Sequence, residues 1–246
     1  SARQSAQELP VRDDATYLIT GGLGALGLEV AGWLAERGAG QLVLVGRSAP
    51  SAKARQAIAR FEQAGVPVMA ISADVSRFEE TERLFAAIES SAHPLRGVVH
   101  AAGVLDDGLL QGQDWERFTR VLAPKVEGAW NLHARTRNLA LDFFACFSSS
   151  TSLLGAAGQG NYAAANAFMD GLAQHRQSAG LPGLSINWGP WGKIGMAAAL
   201  DGRDRERWSE LGFGSLAPEQ GLAVWGQLLG WDAAQVAVLP IDWPKF

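Results

Sequence analysis

A chain of 246 residues, 48% hydrophobic and 19% charged, has the balance of a sequence that buries a core, which excludes intrinsic disorder and fibrous repeats. Its formal charge of −4 without a basic stripe makes a nucleic-acid backbone a poor partner, and no apolar run approaches the roughly 18 residues of a membrane span. The single cysteine, Cys146, excludes a disulfide framework and a cysteine-based metal site and fits a reducing, cytoplasmic setting; His93, His100, His133 and His175 lack ligand spacing, so no metal is expected.

Residues 1–14 are polar and read as a linker; residues 15–246 read as one domain. Ala15 to Thr20 predicts a strand, Gly21 to Gly27 a glycine turn, and Leu28, Val30, Ala31, Leu34 and Ala35 the apolar stripe of a helix. Gln41 to Gly46 predicts a second strand and Ala52 to Ala64 a second helix. Further strands are expected at Val66 to Ser72, Gly97 to Ala101, Leu141 to Ser148 and Leu184 to Trp188, separated by helical stretches at Arg77 to Ser90, Asp114 to Arg137 and Gly160 to Ala179. Strands that alternate with helices and are continuously apolar, as at Val43 to Val45, imply a parallel, doubly wound α/β sheet covered on both faces. After Gly189 to Gly195, rich in Gly, Pro and Trp, residues near 193–212 have helical composition without a clean stripe and read as a lid; Ala217 to Leu229 and Val236 to Leu239 add a last helix and strand.

Chemistry concentrates in three places. Thr20-Gly21-Gly22-Leu23-Gly24-Ala25-Leu26-Gly27 contains G-x-G-x-x-G directly between a strand and a helix, where glycines let the backbone approach a pyrophosphate and the helix amino terminus stabilises its charge. About 20 residues further on, an acidic residue would serve the ribose of NAD. The chain instead carries Arg47-Ser48, a guanidinium and a hydroxyl that suit a 2′-phosphate, so NADPH is expected. Asp74 and Val75 follow the third strand, where the aspartate meets an adenine or caps a helix. At the third place Ser149 ends a strand while Tyr162 and Asn166 lie one helical turn apart, so a hydroxyl and a phenol converge on one carbonyl oxygen. Trp33, Trp130 and Trp225 lie in amphipathic helices and are expected in the core.

TGGLGALG, VGRS, HAAG (His100 to Gly103), FSSS, Tyr162-Ala-Ala-Ala-Asn166 and INWGPWG together resemble the short-chain dehydrogenase/reductase superfamily, and most closely the ketoreductase domains of modular polyketide synthases. Most of that superfamily has Tyr-x-x-x-Lys, whereas Asn166 stands where the lysine would be; in the ketoreductase branch the two exchange places, and Lys125-Val-Glu-Gly-Ala-Trp-Asn-Leu-His133 matches the run that carries the lysine. The resemblance implies Tyr162 as proton donor, Ser149 as the ketone-orienting hydroxyl, Lys125 as ribose ligand and modulator of the tyrosine, and Asn166 as support for a proton relay. It favours Ser149 over its neighbours Ser148 and Ser150. It adds Ala101, Ala102 and Gly103, and Pro190, Trp191 and Gly192 near the nicotinamide, to the cofactor contacts, and Leu105, Asp106, Asp107, Leu154, Gln159 and Met196 to a substrate groove.

The implied reaction is reduction of a β-ketoacyl thioester carried on the phosphopantetheine arm of an acyl carrier protein, with a free-standing fatty-acid β-ketoacyl reductase and a non-catalytic NADPH-binding structural domain as alternatives. Such domains pair with a structural ketoreductase subdomain and other polyketide synthase domains, so the chain reads as a piece of something larger. Leu105-Asp106-Asp107, no tryptophan at Leu154 and no proline at Ala164 resemble the B type, which gives D-configured, usually 3R, alcohols; acidic residues before Gly108 are also ordinary turn chemistry.

Overall fold

The computed structural model describes residues 11–192, 210 and 212–246. Seven apolar runs become seven strands: β1 (Thr16–Thr20), β2 (Gln41–Gly46), β3 (Val68–Ser72), β4 (Leu95–His100), β5 (Phe143–Ser149), β6 (Leu184–Trp188) and β7 (Gln235–Val238). All pair in parallel, in the order β3-β2-β1-β4-β5-β6-β7. Crossovers are helical: α1 (Ala25–Glu36), α2 (Ala52–Gln63), α3 (Phe78–Glu89), α4 (Trp115–Lys125), α5 (Glu127–Thr136), α6 (Thr151–Leu154), α7 (Gly160–Ser178) and α8 (Pro218–Leu228). The arrangement is Rossmann-like, as the sequence pattern predicts. Among the described residues no helix is long and apolar enough to cross a membrane.

Side chains alternate along each strand, which divides the core in two. Tyr17 and Ile19 face α1 and α8 with Val30, Leu34, Trp225 and Leu228, while Leu18 and Val98 face α3, α5 and α7 with Phe85, Leu132 and Met169. Central strands carry Val, Ile and Leu because both faces are covered. Gly97 on β4 is required by packing, since a Cβ there would lie 2.3 Å from the Phe143 ring and 2.6 Å from that of Tyr17.

Register aligns the strand ends that matter. Thr20 pairs with Val45 and His100, and Ser149 with Trp188, so the carboxyl ends of β1, β2, β4, β5 and β6 form one rim. The strand order reverses between β1 and β4, and a crevice opens there, the usual ligand position of such sheets.

Three expectations are revised. The helical stretch Asp114 to Arg137 is two helices, because Pro124 lacks an N–H for the ladder and the chain turns at Val126, which caps both helices at φ −93°, ψ −69°. A short 3₁₀ turn at Leu110–Gly112 and helix α6 had no periodicity to reveal them. Trp130 is 49% exposed, against the expectation of core packing; it stacks at the surface on His133 and His175, while Trp33 and Trp225 do meet in the core. Met196 and nearly all of the expected lid near 193–212 lie outside the described residues.

Candidate active site

At the end of β1 the glycine loop packs too tightly for side chains. Gly21 has φ +71°, and a Cβ there would lie 2.7 Å from Ala101 O; at Gly22 it would meet Ile19 O at 2.5 Å, and at Gly27 Gly21 O at 2.3 Å. The loop therefore sits against β4 and delivers α1 with free N–H groups toward the crevice. Thr20, Gly21, Gly46, Arg47, Asp74, Val75, Ala102 and Gly103 line one cleft with Val45, Ala73, Val104 and Pro124. Leu23 lies under Gly46, and Arg47 and Ser48 are exposed at the mouth. Asp74 turns its carboxylate back to Ser76, accepting from the Ser76 backbone N–H at 3.0 Å and its hydroxyl at 2.7 Å, while Asn131 Nδ2 donates to Val75 O at 2.9 Å.

Around the rim of β5 the side chains take over. The break at Val126 ends α4 so that Lys125 is buried, its Nζ donating to Phe147 O at 3.2 Å and standing 5.4 Å from the Tyr162 ring centroid. Burial pushes the Lys125 ammonium down to about 8, with the nearby Asp170 acting in the opposite direction. Burial likewise raises the Tyr162 phenol above its ordinary value, and hydrogen bonding with Asn166 and Ser149 acts in the opposite direction. Among Ser148, Ser149 and Ser150 only Ser149 is not buried, and its Oγ accepts from Thr151 Oγ1 at 2.9 Å and Thr151 N at 3.2 Å. Asn166 Nδ2 donates to Tyr162 O at 2.7 Å, leaving Asn166 Oδ1 buried without a partner among the described residues.

Tyr162 and Lys125 are thus together with Ser149 and Asn166, drawn from three elements, α4, β5 and α7. His100 completes the floor, with Nδ1 2.6 Å from Thr20 Oγ1, and burial holds its imidazole neutral, down to about 3, with the Lys125 charge adding to the effect.

The loop after β4 is pinned. Asp106 is held by Arg117 and Arg120, which keeps its carboxyl below the usual range, and Gln159 Nε2 donates to Asp107 Oδ2 at 2.8 Å. Gly108 N donates to Gly158 O at 2.8 Å, so the two loops flanking the groove are joined; Leu105 and Leu154 are exposed beside them. At the rim of β6, Trp191 turns its indole inward against Gly221 of α8 and Trp188, while the flanking backbone pairs with Leu216, Gly192 N donating to Leu216 O at 2.7 Å and Leu216 N to Pro190 O at 2.9 Å. Sequence reasoning missed Thr151, Arg117, Arg120 and the buried pair Asp170 and Asn187. Asp170 continued the face of Tyr162 and Asn166 at i+8 and i+4, the one signal that pointed to it.

A family model described as KR domain matches residues 15–193. One of the phenolphthiocerol/phthiocerol polyketide synthase proteins of Mycobacterium tuberculosis is 44% identical over 232 residues, which are 94% of this chain and 10% of that protein. A structure of an A1-type ketoreductase is similar at TM-score 0.91 and 37% identity, covering 100% of this chain and 51% of that one. A C2-type ketoreductase from a modular polyketide synthase is similar at TM-score 0.87 and 31% identity, covering 100% and 52%. The chain spans about a tenth of the length of its first curated relatives and about half of these solved chains.

Proposed function

The chain belongs to the KR domain family of polyketide synthase ketoreductases, and from that premise we propose that it reduces a β-ketoacyl thioester, carried by an acyl carrier protein, to the β-hydroxyacyl thioester with NADPH. The glycine cradle, which any Cβ would fill, fits a pyrophosphate, and exposed Arg47 and Ser48 at the end of β2 fit a 2′-phosphate. NADPH, when bound, supplies the hydride to the ketone carbon.

The protein's own residues do the rest. Ser149 donates to the ketone oxygen and orients it; Tyr162 delivers its phenolic proton to the same oxygen as negative charge develops. Lys125 reaches the ribose and, as an ammonium beside the ring, favours the phenolate left behind. The orphaned Oδ1 of Asn166 suits a water that returns a proton to Tyr162. One observation carries the reading: a fully buried lysine beside Tyr162 comes from α4, while the helix position that usually supplies it holds Asn166.

Backbone likeness to A1-type and C2-type ketoreductases alike leaves stereochemistry to the groove. The Leu105-Asp106-Asp107 motif, with no tryptophan at Leu154 and no proline at Ala164, supports the D-configured, B-type product. The Gln159–Asp107 bridge and the Gly108–Gly158 bond hold that loop beside the start of the helix that carries Tyr162. The structural ketoreductase subdomain and the carrier protein are the proposed partners. A purified chain given NADPH and a simple β-ketothioester, or trans-1-decalone, should oxidise NADPH in preference to NADH; no loss of NADPH absorbance with several ketones refutes catalysis. Chiral chromatography that returned mainly L-configured alcohol would overturn the B-type assignment alone.

A further inference from the structure

Behind Ser149 lies a polar cluster that the roles above do not use. Asp170 of α7 is buried, and among the described residues no basic side chain forms an ion pair with it. Its Oδ1 accepts from Ser185 Oγ at 2.6 Å and Asn187 Nδ2 at 3.0 Å; its Oδ2 accepts from Ser152 Oγ at 2.7 Å and Asn187 Nδ2 at 2.9 Å. Every neighbour of the carboxylate carries a proton it can donate, so the Asp170 oxygens serve as the shared acceptor of the cluster. Asn187 is fixed in the same sense, because its Oδ1 accepts from Gln235 Nε2 at 3.0 Å and so its amide nitrogen must face Asp170.

Asn187, with two N–H protons, serves both Asp170 and the end of β5, while the single Ser152 hydroxyl proton is shared between Asp170 Oδ2 and Ser149 O. Ser152 Oγ lies 2.9 Å and Asn187 Nδ2 3.3 Å from Ser149 O, and Asn187 Nδ2 lies 3.1 Å from Ser148 Oγ, which in turn meets Asn166 O at 3.3 Å. A buried carboxyl group without a counter-ion is unfavourable unless its donors are well aimed. Here the same aim sets the carbonyl of the residue whose hydroxyl faces the crevice.

We infer that Asp170, through Ser152 and Asn187, is a positioning residue that sets where Ser149 presents its hydroxyl. The inference rests on reading Ser149 as the ketone-orienting group. Asp170→Asn replaces one acceptor oxygen by an amide donor, so the donors Ser185, Ser152 and Asn187 are left to share a single acceptor oxygen and the set-up of the cluster is disturbed.

The test is a double-mutant cycle with Ser149→Ala, measured well below the pH of about 8 at which Lys125 loses its proton. Asp170→Asn should lower kcat roughly 10-fold when Ser149 is present and less than about 2-fold when it is alanine, since the positioned group is then gone. NADPH affinity, read by fluorescence titration, should be the same within about 2-fold in all four proteins, the NADPH-binding loop being remote from Asp170. Unchanged kcat in Asp170→Asn, or an equal loss in both backgrounds, overturns the inference. If the Asp170 variant does not fold, Ser152→Ala on partly exposed α6 carries the same prediction at about 3-fold, confined to chains that keep Ser149; no loss there overturns it too. A parent chain that turns over no ketone at all would instead refute the proposed function.

Discussion

The two halves of the crevice are built by different means. On the β1–β2 side the site is backbone: Gly21, Gly22 and Gly27 leave no room for side chains, the atoms nearest an added Cβ being backbone of Ala101, Ile19 and the loop itself. On the β5–β6 side it is side chain: Lys125, Tyr162, Asn166, Asp170 and Asn187 are buried polar groups, each held by specific partners. A pyrophosphate needs close approach and N–H groups, which backbone alone supplies. Moving a proton needs groups with unusual affinities for it, and burial creates those at the expense of stability.

The sharpest way to separate the halves is Tyr162→Phe, which should lower turnover by about 100-fold or more and leave NADPH affinity unchanged, as fluorescence titration and steady-state kinetics would read. Weaker NADPH binding in that variant would show that the halves are not independent. Gly27→Ala probes the other side: the added methyl would meet Gly21 O, so NADPH affinity should fall by about 30-fold, with the loss in KM for NADPH exceeding any loss in kcat.

Proton chemistry should appear in the pH dependence. The Lys125 ammonium is lost as pH rises through about 8, so kcat/KM, which reports the free enzyme, should fall about 5-fold between roughly pH 8 and 9. A flat profile there would place the charge elsewhere. The smallest effect is in stability. Lys125 in the fold sits at about 8, below its ordinary 10.5, so its burial is a penalty fully present below about 8 that fades as pH rises toward 10.5. Lys125→Met, inactive, should therefore melt a few degrees higher, roughly 1–3 kcal/mol, at neutral pH, and the gain should shrink in alkaline buffer.

The same contrast governs what the sequence reveals. Glycine spacing lies along the chain, so Gly22, Gly24 and Gly27 and the seven apolar runs are legible as they stand. Lys125 and Asn166 acquire meaning only by resemblance to a family, because nothing local says that a lysine on one helix replaces one on another. Asp170, Asn187 and Ser152 stay hidden, since their partners come from β5, β6, α6 and α7 and only tertiary pairing joins them. The turn of Trp191 toward Gly221 was likewise unreadable, being a matter of what α8 leaves open.

The strand order also sets a schedule for assembly on the ribosome. β1, β2 and β3 can pair outward in one direction as they emerge, with Gln41 opposite Thr16 and Val68 opposite Leu42. β4 must then return to the opposite edge of β1, Leu95 beside Thr16, and this is the longest loop any strand pairing closes. Once it docks, β5, β6 and β7 each add to the edge just formed. Loop closure of that length is the kinetic bottleneck of a parallel sheet. The β1–β3 wall of the nucleotide half can thus pair first, while its wall at Ala101–Gly103 and the other half of the crevice both wait for a single docking event at the centre of the sheet.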